Sequence, residues 1–496
     1  MAKVTIIQDT ERLTVQAEVG QTLGELLRKV IPSFAMPCNG NHTCGKCLVQ
    51  VFGAVSEAEE TEQRLLEEYT ASAGMRLACC CNVEGDAKVI VPSAKTAKIL
   101  SWYQIPEVKA TERGYGFAVD IGTTTVAVQL IDRADGRVLS ERVAQNAQRG
   151  FGADVISRIE ACKTAGLQIL SERIAQQLEE MAAECLQESG VKCIEESVVT
   201  GNTTMLHLYE GLDPASLAVA PFKVQSYFDC TSRRTLAGAP VYLPRCIGAY
   251  VGADVVCAAA AADLTCGGVQ LLTDIGTNGE IVLVRDGRVS CCATAAGPAF
   301  EGTGLSRGMP ASTGAIRMVQ KEADVITYET VHHAPAVGIC GSGILDALSV
   351  MLDENVLEPT GYLEKEWEIA DSGIQITQKD VRQIQLAKAA ICGGILTLLE
   401  AESISAEELD RFVVAGGFGS SMNHASAAAI GLYPWALHKK AEFLGNGALG
   451  GAVMLLRSKV FREKVAEMAK NARELSLSAS AEFMDYYVDC MSFEVL

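Results

Sequence analysis

Two short stretches decide the fold: Asp120-Ile121-Gly122-Thr123-Thr124-Thr125 and, about 150 residues later, Asp274-Ile275-Gly276-Thr277-Asn278-Gly279. Each follows an apolar run (GFAV, VQLLT) and leads into another (VAVQLI, EIVLV). Each unit closes on the same turn, Asp135-Gly136-Arg137 or Asp286-Gly287-Arg288. A strand, a tight Gly/Thr turn, a strand and an Asp-Gly hairpin therefore occur twice. Such a turn offers close backbone approach at glycine, N–H donors, threonine hydroxyls and an acidic residue for a metal ion, which are the needs of a phosphate group. One turn of this kind is usually only a hairpin. The repeat points to a nucleotide whose phosphates sit between two duplicated lobes.

From Gly114 onward, strands alternate with the helical periodicity of VISRIEACK, ILSERIAQQLEEMAAECLQES and VRQIQLAKAAICGGILTLLEAE, which is an α/β pattern. A third glycine turn follows a short apolar strand in Phe412-Val413-Val414-Ala415-Gly416-Gly417-Phe418-Gly419-Ser420. Glycines there let the backbone pass flat against a planar base. The three turns together resemble the acetate and sugar kinase/Hsp70/actin superfamily over residues 114–496. The resemblance implies two ribonuclease H-like lobes, about 114–268 and 269–496, with ATP in the cleft between them and Mg2+ near Asp120 and Asp274. It puts Gly122, Thr123 and Thr124 in the first phosphate motif, and Gly276, Thr277, Asn278 and Gly279 in the second. Gly416, Gly417 and Gly419 fall in the adenosine motif, and Gly341 of Gly341-Ser342-Gly343 in a connecting element. Kinases of this superfamily carry a carboxylate on a Gly-Asp turn about twenty residues before the second motif. Asp254 of Gly252-Ala253-Asp254 stands there as the candidate base or water-positioning group. Asp254 equally suits a helix N-cap before VVCAAAAAD, and Glu301 of GPAFEG is a weaker alternative base.

The first 92 residues carry different chemistry. Cys38, Cys44 and Cys47 follow C-x5-C-x2-C in PCNGNHTCGKCLVQV, and Cys79 lies further on in MRLACCCNVEGD. Three thiols on a glycine-bearing loop and one distant thiol follow plant-type [2Fe–2S] logic, although the plant-type first gap is four residues. Four cysteines also suit zinc, but a zinc ribbon has two CxxC knuckles and only Cys44-Cys47 is one. VTIIQD and RLTVQAEV read as a hairpin, GQTLGELLRKVI as an amphipathic helix and TEQRLLEEY as a second short helix. This resembles the α+β β-grasp [2Fe–2S] ferredoxin domain over residues 1–92, including its RLAC signature. The signature makes Cys79 the fourth ligand and leaves Cys80 and Cys81 as bystanders, either of which could substitute. A Rieske-type site needs two histidines, so His42 reads as a loop residue. Residues 93–113, flanked by Pro92 and containing Pro106, read as a short linker.

Composition bounds the rest. A net charge of −19 argues against nucleic-acid binding. Apolar residues make up 49% of the chain, yet no uninterrupted apolar stretch reaches the ~18 residues of a membrane span. The N-terminus lacks a signal-peptide core, and the expected location is the cytoplasm. In that compartment the 18 cysteines are not expected to form disulfides. Cys162, Cys185, Cys257 and Cys392 sit in apolar surroundings and read as small core residues.

A one-electron centre joined to a phosphate-driven two-lobe switch suggests ATP-gated electron transfer. The combination resembles the ATP-dependent reductive activators of corrinoid proteins, which return Co(II) to Co(I). NAQRGFGADVISRI, VVTGNTTMLHL and AAGPAFEGTGL look like that family's blocks. Longer members insert a further domain after the linker, whereas here GYGFAVDIGTTT follows almost directly. The resemblance implies a corrinoid protein of a methyltransferase or related system as partner and a low-potential donor of ferredoxin or flavodoxin type, with a homodimer left open. Against a plant-type cluster at ~−400 mV, a cobalt couple ~150 mV lower makes the transfer uphill by ~3.5 kcal/mol. Alternatives are an ATP-dependent activator of another metalloenzyme and a non-catalytic redox-sensing nucleotide switch. The related dehydratase activators carry a [4Fe–4S] cluster on cysteines inside the ATPase, which counts against the first.

Overall fold

The computed structural model describes residues 1–8, 11–31, 34, 36, 40, 42, 47–68, 75–91, 102–264, 267–323, 325–416 and 422–494. Cys38, Cys44, Gly417 and Gly419 lie outside the described residues, as do residues 93–101 of the expected linker.

The N-terminal part is a five-stranded sheet with one helix laid across it. β1 (Ala2–Gln8) and β2 (Glu11–Ala17) form the expected hairpin, followed by α1 (Leu23–Val30), β3 (Leu48–Val55), α2 (Glu60–Glu68), β4 (Met75–Leu77) and β5 (Val83–Val91). The sheet order is β2-β1-β5-β3-β4, with β1 and β5 parallel and the other pairs antiparallel, which is the β-grasp arrangement. Thr22 caps α1 by accepting from the Glu25 N–H at 3.1 Å. The apolar face of that helix, Leu23, Leu26 and Leu27, packs with Val4, Ile6, Val49 and Val89.

Residues 115–261 and 269–474 then build the same sheet twice. The first run is β6 (Tyr115–Ile121), β7 (Thr125–Asp132), β8 (Val138–Gln145), α3 (Val155–Ala161), α4 (Leu167–Ser189), β9 (Glu196–Gly201), α5 (Thr203–Glu210), β10 (Cys230–Leu236), β11 (Ala239–Leu243) and α6 (Ala253–Ala261). The second starts with β12 (Val269–Ile275), β13 (Gly279–Arg285) and β14 (Arg288–Thr294). It continues through the small sheet β15 (Ala315–Glu322), β16 (Val325–Thr330) and β17 (Gly338–Ile339), then α7 (Gly341–Asp353) and the two-residue strands β18 (Trp367–Glu368) and β19 (Gln375–Ile376). It ends with α8 (Gln378–Ala401), β20 (Arg411–Ala415), α9 (His424–Ala429), β21 (Ala441–Gly445), α10 (Gly447–Arg457), α11 (Lys459–Asn471), β22 (Arg473–Glu474) and α12 (Ala481–Asp489). The sheet orders are β10-β11-β9-β6-β7-β8 and β21-β20-β12-β13-β14-β22. In each, three strands meander antiparallel and the next two add in parallel on the other side of the first strand. This duplicated ribonuclease H-like topology carries Asp120 and Asp274 at the same point, the last residue but one of the first strand.

Strands β6, β7, β12 and β13 are buried on both faces and read as near-continuous apolar runs for that reason. Helix α8 is long and apolar enough to cross a membrane, but 78% of its apolar window is buried inside the protein, against the second sheet's core. The described end of the expected linker is packed rather than loose. Tyr103 bridges to Gly445, Gln104 N–H donates to Leu444 O at 3.1 Å, Trp102 stacks on Phe443, and Val108 enters a core. Trp102, Tyr103, Ile105 and Val108 follow no strand or helix period, so the sequence carries only their apolar character as a signal for this strap. Among the cysteines expected in the core, Cys185, Cys257 and Cys392 are buried and Cys162 is half-buried.

Candidate functional site

The two glycine turns face one another across a cleft with about 1660 Å³ of empty space, its open mouth included. Its walls include Asp120, Gly122, Thr123 and Thr124 from the first lobe, and Asp274, Gly276, Thr277 and Asn278 from the second. Asp254, Glu280, Glu301, Gly341 and Gly416 also line it. Gly279 does not. It opens β13, and a Cβ there would lie 2.8 Å from Thr294 Oγ1 and 3.0 Å from Ile391 Cγ1, so this glycine serves the packing of α8.

The first turn is held from behind. Asn146 Nδ2 donates to Gly122 O at 2.8 Å, Arg158 Nη2 donates to Thr123 O, and Asn146 N–H donates to Thr124 O at 2.9 Å. With its carbonyls engaged, the turn has its N–H groups and hydroxyls left for an anion. Asn202, the N-cap of α5, donates from Nδ2 to Thr123 Oγ1 at 3.0 Å. Asn446, the N-cap of α10, donates from Nδ2 to Asp120 Oδ2 at 3.0 Å, and its own N–H donates to Trp102 O at 2.8 Å. At Gly416 φ is 102°, and a Cβ would lie 2.6 Å from Ile275 O and 2.8 Å from Asp274 Oδ1. The close approach that glycine allows here is to the second phosphate turn.

Besides Glu301, four carboxylates meet in this cleft. Burial, then the charge of Asp254, pushes Asp120 up to about 7, and the Asn446 amide partly offsets this. Burial, then Asp254, Asp120 and Glu301, pushes Asp274 up to about 7. Asp254 rises to about 6 through burial, and the Val255 N–H at 2.9 Å restrains it. Glu280, which is 8% exposed, stands well above the usual carboxylate range through burial and the charges of Asp254 and Asp274. Solvent still reaches the three aspartates, which are half-buried. None of the four has an ion pair among the described residues. Oxygen donors in mutual repulsion, with no cationic side chain to relieve it, are a donor set that fits a hard divalent cation. Gly252 rather than Asp254 occupies the N-cap position of α6, and Asp254 sits in that helix's first turn with its carboxylate on the cleft.

In the β-grasp part, Cys47 and Cys79 are buried with their sulfurs 3.3 Å apart. The RLAC turn that carries Cys79 is anchored by a bidentate pair. Arg76 donates from Nε and Nη2 to the two oxygens of fully buried Glu62 at 2.8 Å each, and Leu77 N–H donates to Glu62 Oε1 at 2.7 Å. The hydrogen bond to Cys47, then burial, pushes the Cys79 thiol far above the ordinary range. A metal relieves such a pair by taking it as thiolate. Cys81 is buried, its thiol pushed up to about 11 by desolvation, while Cys80 Sγ lies 3.7 Å from Cys79 Sγ. His42 Nε2 lies 3.1 Å from Cys79 O. Two buried thiols in contact, Cys47 just before β3 and Cys79 on the anchored turn after β4, fit a cysteine-ligated [2Fe–2S] cluster.

Residues 146–158, Asn202, Glu280 and Asn446 were not singled out as site residues from the sequence. A signal exists for the two asparagines: each follows a strand that ends in glycine, Gly201-Asn202 and Gly445-Asn446, and caps the next helix.

Comparison with known proteins covers nearly all of the chain. The family described as "2Fe-2S iron-sulfur cluster binding domain" matches residues 6–84, "RACo middle region" matches 115–266, and "C-terminal domain of RACo the ASKHA domain" matches 268–495. The corrinoid activation enzyme RamQ of Eubacterium limosum is 32% identical over 428 residues, 77% of this chain and 71% of that one. The [Co(II) methylated amine-specific corrinoid protein] reductase of Methanosarcina barkeri is 27% identical over 419 residues, 76% of this chain and 77% of that one. A solved structure titled "Reductive activator for corrinoid,iron-sulfur protein" matches at 28% identity with a TM-score of 0.69, covering 99% of this chain and 98% of that one.

Proposed function

Because the chain belongs to the RACo family of ATP-dependent reductive activators of corrinoid proteins, we propose that its substrate is the inactive Co(II) form of a corrinoid protein in a methyltransferase or related system. The product is the Co(I) form. When bound on Cys38, Cys44, Cys47 and Cys79, the [2Fe–2S] cluster supplies the single electron. A ferredoxin- or flavodoxin-type donor refills it. Asp120, Asp254, Asp274 and Glu280 hold Mg2+ with the nucleotide's phosphates, a reading supported by their shared repulsion in the cleft. Asp254 orients the attacking water. We place the protein in the cytoplasm, on the lack of a signal-peptide core in its sequence.

One observation carries the coupling of the two halves. The segment that grips all three carbonyls of the first phosphate turn runs directly into the cluster domain's surface. Asn146 and Arg158 hold the turn, and between them Phe151 lies under the Arg28 guanidinium of α1, 4.8 Å from ring centre to Cζ. A Cβ on neighbouring Gly150 would lie 3.4 Å from Phe34 O of the cluster domain. On the other side, Asn446 joins Asp120 to Trp102 of the strap that leads back to that domain. Nucleotide seated on the turn therefore bears mechanically on the electron-carrying domain from two sides. A differential affinity of nucleotide for two arrangements of these parts supplies an uphill transfer with its free energy. The experiment is anaerobic reduction of candidate corrinoid proteins with and without MgATP, followed by the cobalt absorption bands. Equal Co(I) yield in both conditions, for every corrinoid partner tried, contradicts the proposal.

A further inference from the structure

Resting on the nucleotide site proposed above, we propose that Glu301 is a phosphate surrogate: it latches the two lobes in the nucleotide-free protein and leaves when the terminal phosphates of ATP seat. Its Oε2 accepts from Thr124 Oγ1 at 2.7 Å, and its Oε1 accepts from Thr277 Oγ1 at 2.8 Å. One hydroxyl belongs to the first phosphate turn and the other to the second. A single carboxylate thus spans the cleft, using the two donors that the motif reading assigns to phosphate. Two oxygens on one anionic centre, each accepting one hydroxyl hydrogen bond, reproduce the bonding of two non-bridging phosphate oxygens.

The position of Glu301 is built into the fold. It ends the short 3-10 turn Pro298–Glu301, bracketed by Gly297 and Gly302 at φ 75° and 78°, with Phe300 buried beneath. A Cβ on Gly302 would collide with the Met309 backbone, so this turn and the 309 segment are seated on one another. The surroundings favour an anion. Burial depresses both Arg149 and Arg158, and in each case the Glu301 charge works against that depression. Arg158 at the same time donates to Thr123 O in the first turn. ATP brings several negative charges to the same hydroxyls, and a carboxylate cannot share them at hydrogen-bond distance without strong repulsion. Entry of the terminal phosphates therefore exchanges a carboxylate clamp for a phosphate clamp, and the Glu301 side chain swings away from the fixed turn as the lobes stay bridged.

The test uses the full-length, cluster-loaded protein without any corrinoid protein. Binding of a non-hydrolysable ATP analogue with Mg2+ is measured by calorimetry for wild type, Glu301→Ala and Glu301→Gln. Both variants are expected to bind about tenfold or more tightly than wild type, since each removes a negative charge from the phosphate position. Glu301→Gln preserves the shape of the latch, so it remains informative if the alanine variant folds poorly. Equal or weaker affinity in a variant whose cluster spectrum and circular dichroism match wild type overturns the latch. A fall in ATP turnover with unchanged affinity overturns it too, and makes Glu301 the water-activating group. If neither wild type nor either variant binds the analogue, the nucleotide-site reading fails along with the latch. Binding by wild type without a gain in the variants sinks the latch alone.

Discussion

Replacing Asp274 by Asn should stabilise the nucleotide-free protein while abolishing its ATP-dependent activity. Burial and the neighbouring charges of Asp254, Asp120 and Glu301 raise the Asp274 carboxyl to about 7, against ~3.9 for an unfolded aspartate. A folded value above the unfolded one means that the folded state holds the proton longer. The carboxyl's contribution is therefore fully favourable below about pH 4 and is lost as pH rises through about 7. Three units correspond to ~4 kcal/mol at most. Water in the cleft and sharing of the shift with Asp254 and Asp120 bring a realistic figure to ~1–3 kcal/mol at pH 8. Asparagine keeps the shape without the charge, so Asp274→Asn should unfold later than wild type at pH 8. The expected gain is ~1–4 °C in the transition of the ATPase part, and the gain should shrink steadily as pH is lowered to 5. The same substitution removes a cation ligand, so Mg2+ should raise the transition of wild type and leave that of the variant unmoved. Differential scanning calorimetry across pH 5–8, with and without Mg2+, measures both. An asparagine variant less stable than wild type by the same margin at every pH would refute the argument, because it would show that Asp274 is held by favourable bonds rather than strained by its neighbours.

Three further outcomes are expected. Anaerobically reconstituted protein should hold about two irons and two labile sulfides; Cys38→Ser, Cys44→Ser, Cys47→Ser or Cys79→Ser should lose the visible spectrum, and Cys81→Ser should keep it. Gly416→Ala, which places a Cβ at φ 102° against Ile275 O, should cost ~2–4 kcal/mol of stability and weaken MgATP binding, read by calorimetry. Phe151→Ala removes the ring beneath Arg28, a contact of ~0.5–2 kcal/mol. It should leave the cluster spectrum and basal ATP turnover intact while reducing the ATP-dependent gain in Co(I) by ~2–30-fold.

How much of this was legible in the sequence follows from the range of the interactions involved. The duplicated strand-turn-strand units at Asp120 and Asp274 were readable because alternation, glycine and an Asp-Gly turn are local signals. The β-grasp part was readable for the same reason, helped by the fixed cysteine spacing. The role of Gly279 was not readable: its need for glycine comes from Ile391 and Thr294, contacts made across the lobe. Glu301 looked like a minor alternative because its two partners, Thr124 and Thr277, lie in separate lobes, and only their approach gives the carboxylate its place. The strap at 102–113 reads as a linker because its apolar residues follow no strand or helix period, and the edge strand it borders, β21, is more than three hundred residues away in sequence. Asn446 escaped notice because an N-cap asparagine is common, whereas its second bond, to Asp120, depends on the two lobes being brought together.

The most direct test of ATP-gated electron transfer compares Co(I) formation in one corrinoid partner by wild type, Cys79→Ser and Asp274→Asn, each with a low-potential donor and with or without MgATP. Wild type should accumulate Co(I) only with MgATP. Cys79→Ser should form none under either condition, and Asp274→Asn should show a reducible cluster but little Co(I). Accumulation of Co(I) by Asp274→Asn at the wild-type level, or by wild type equally without ATP, would contradict the account.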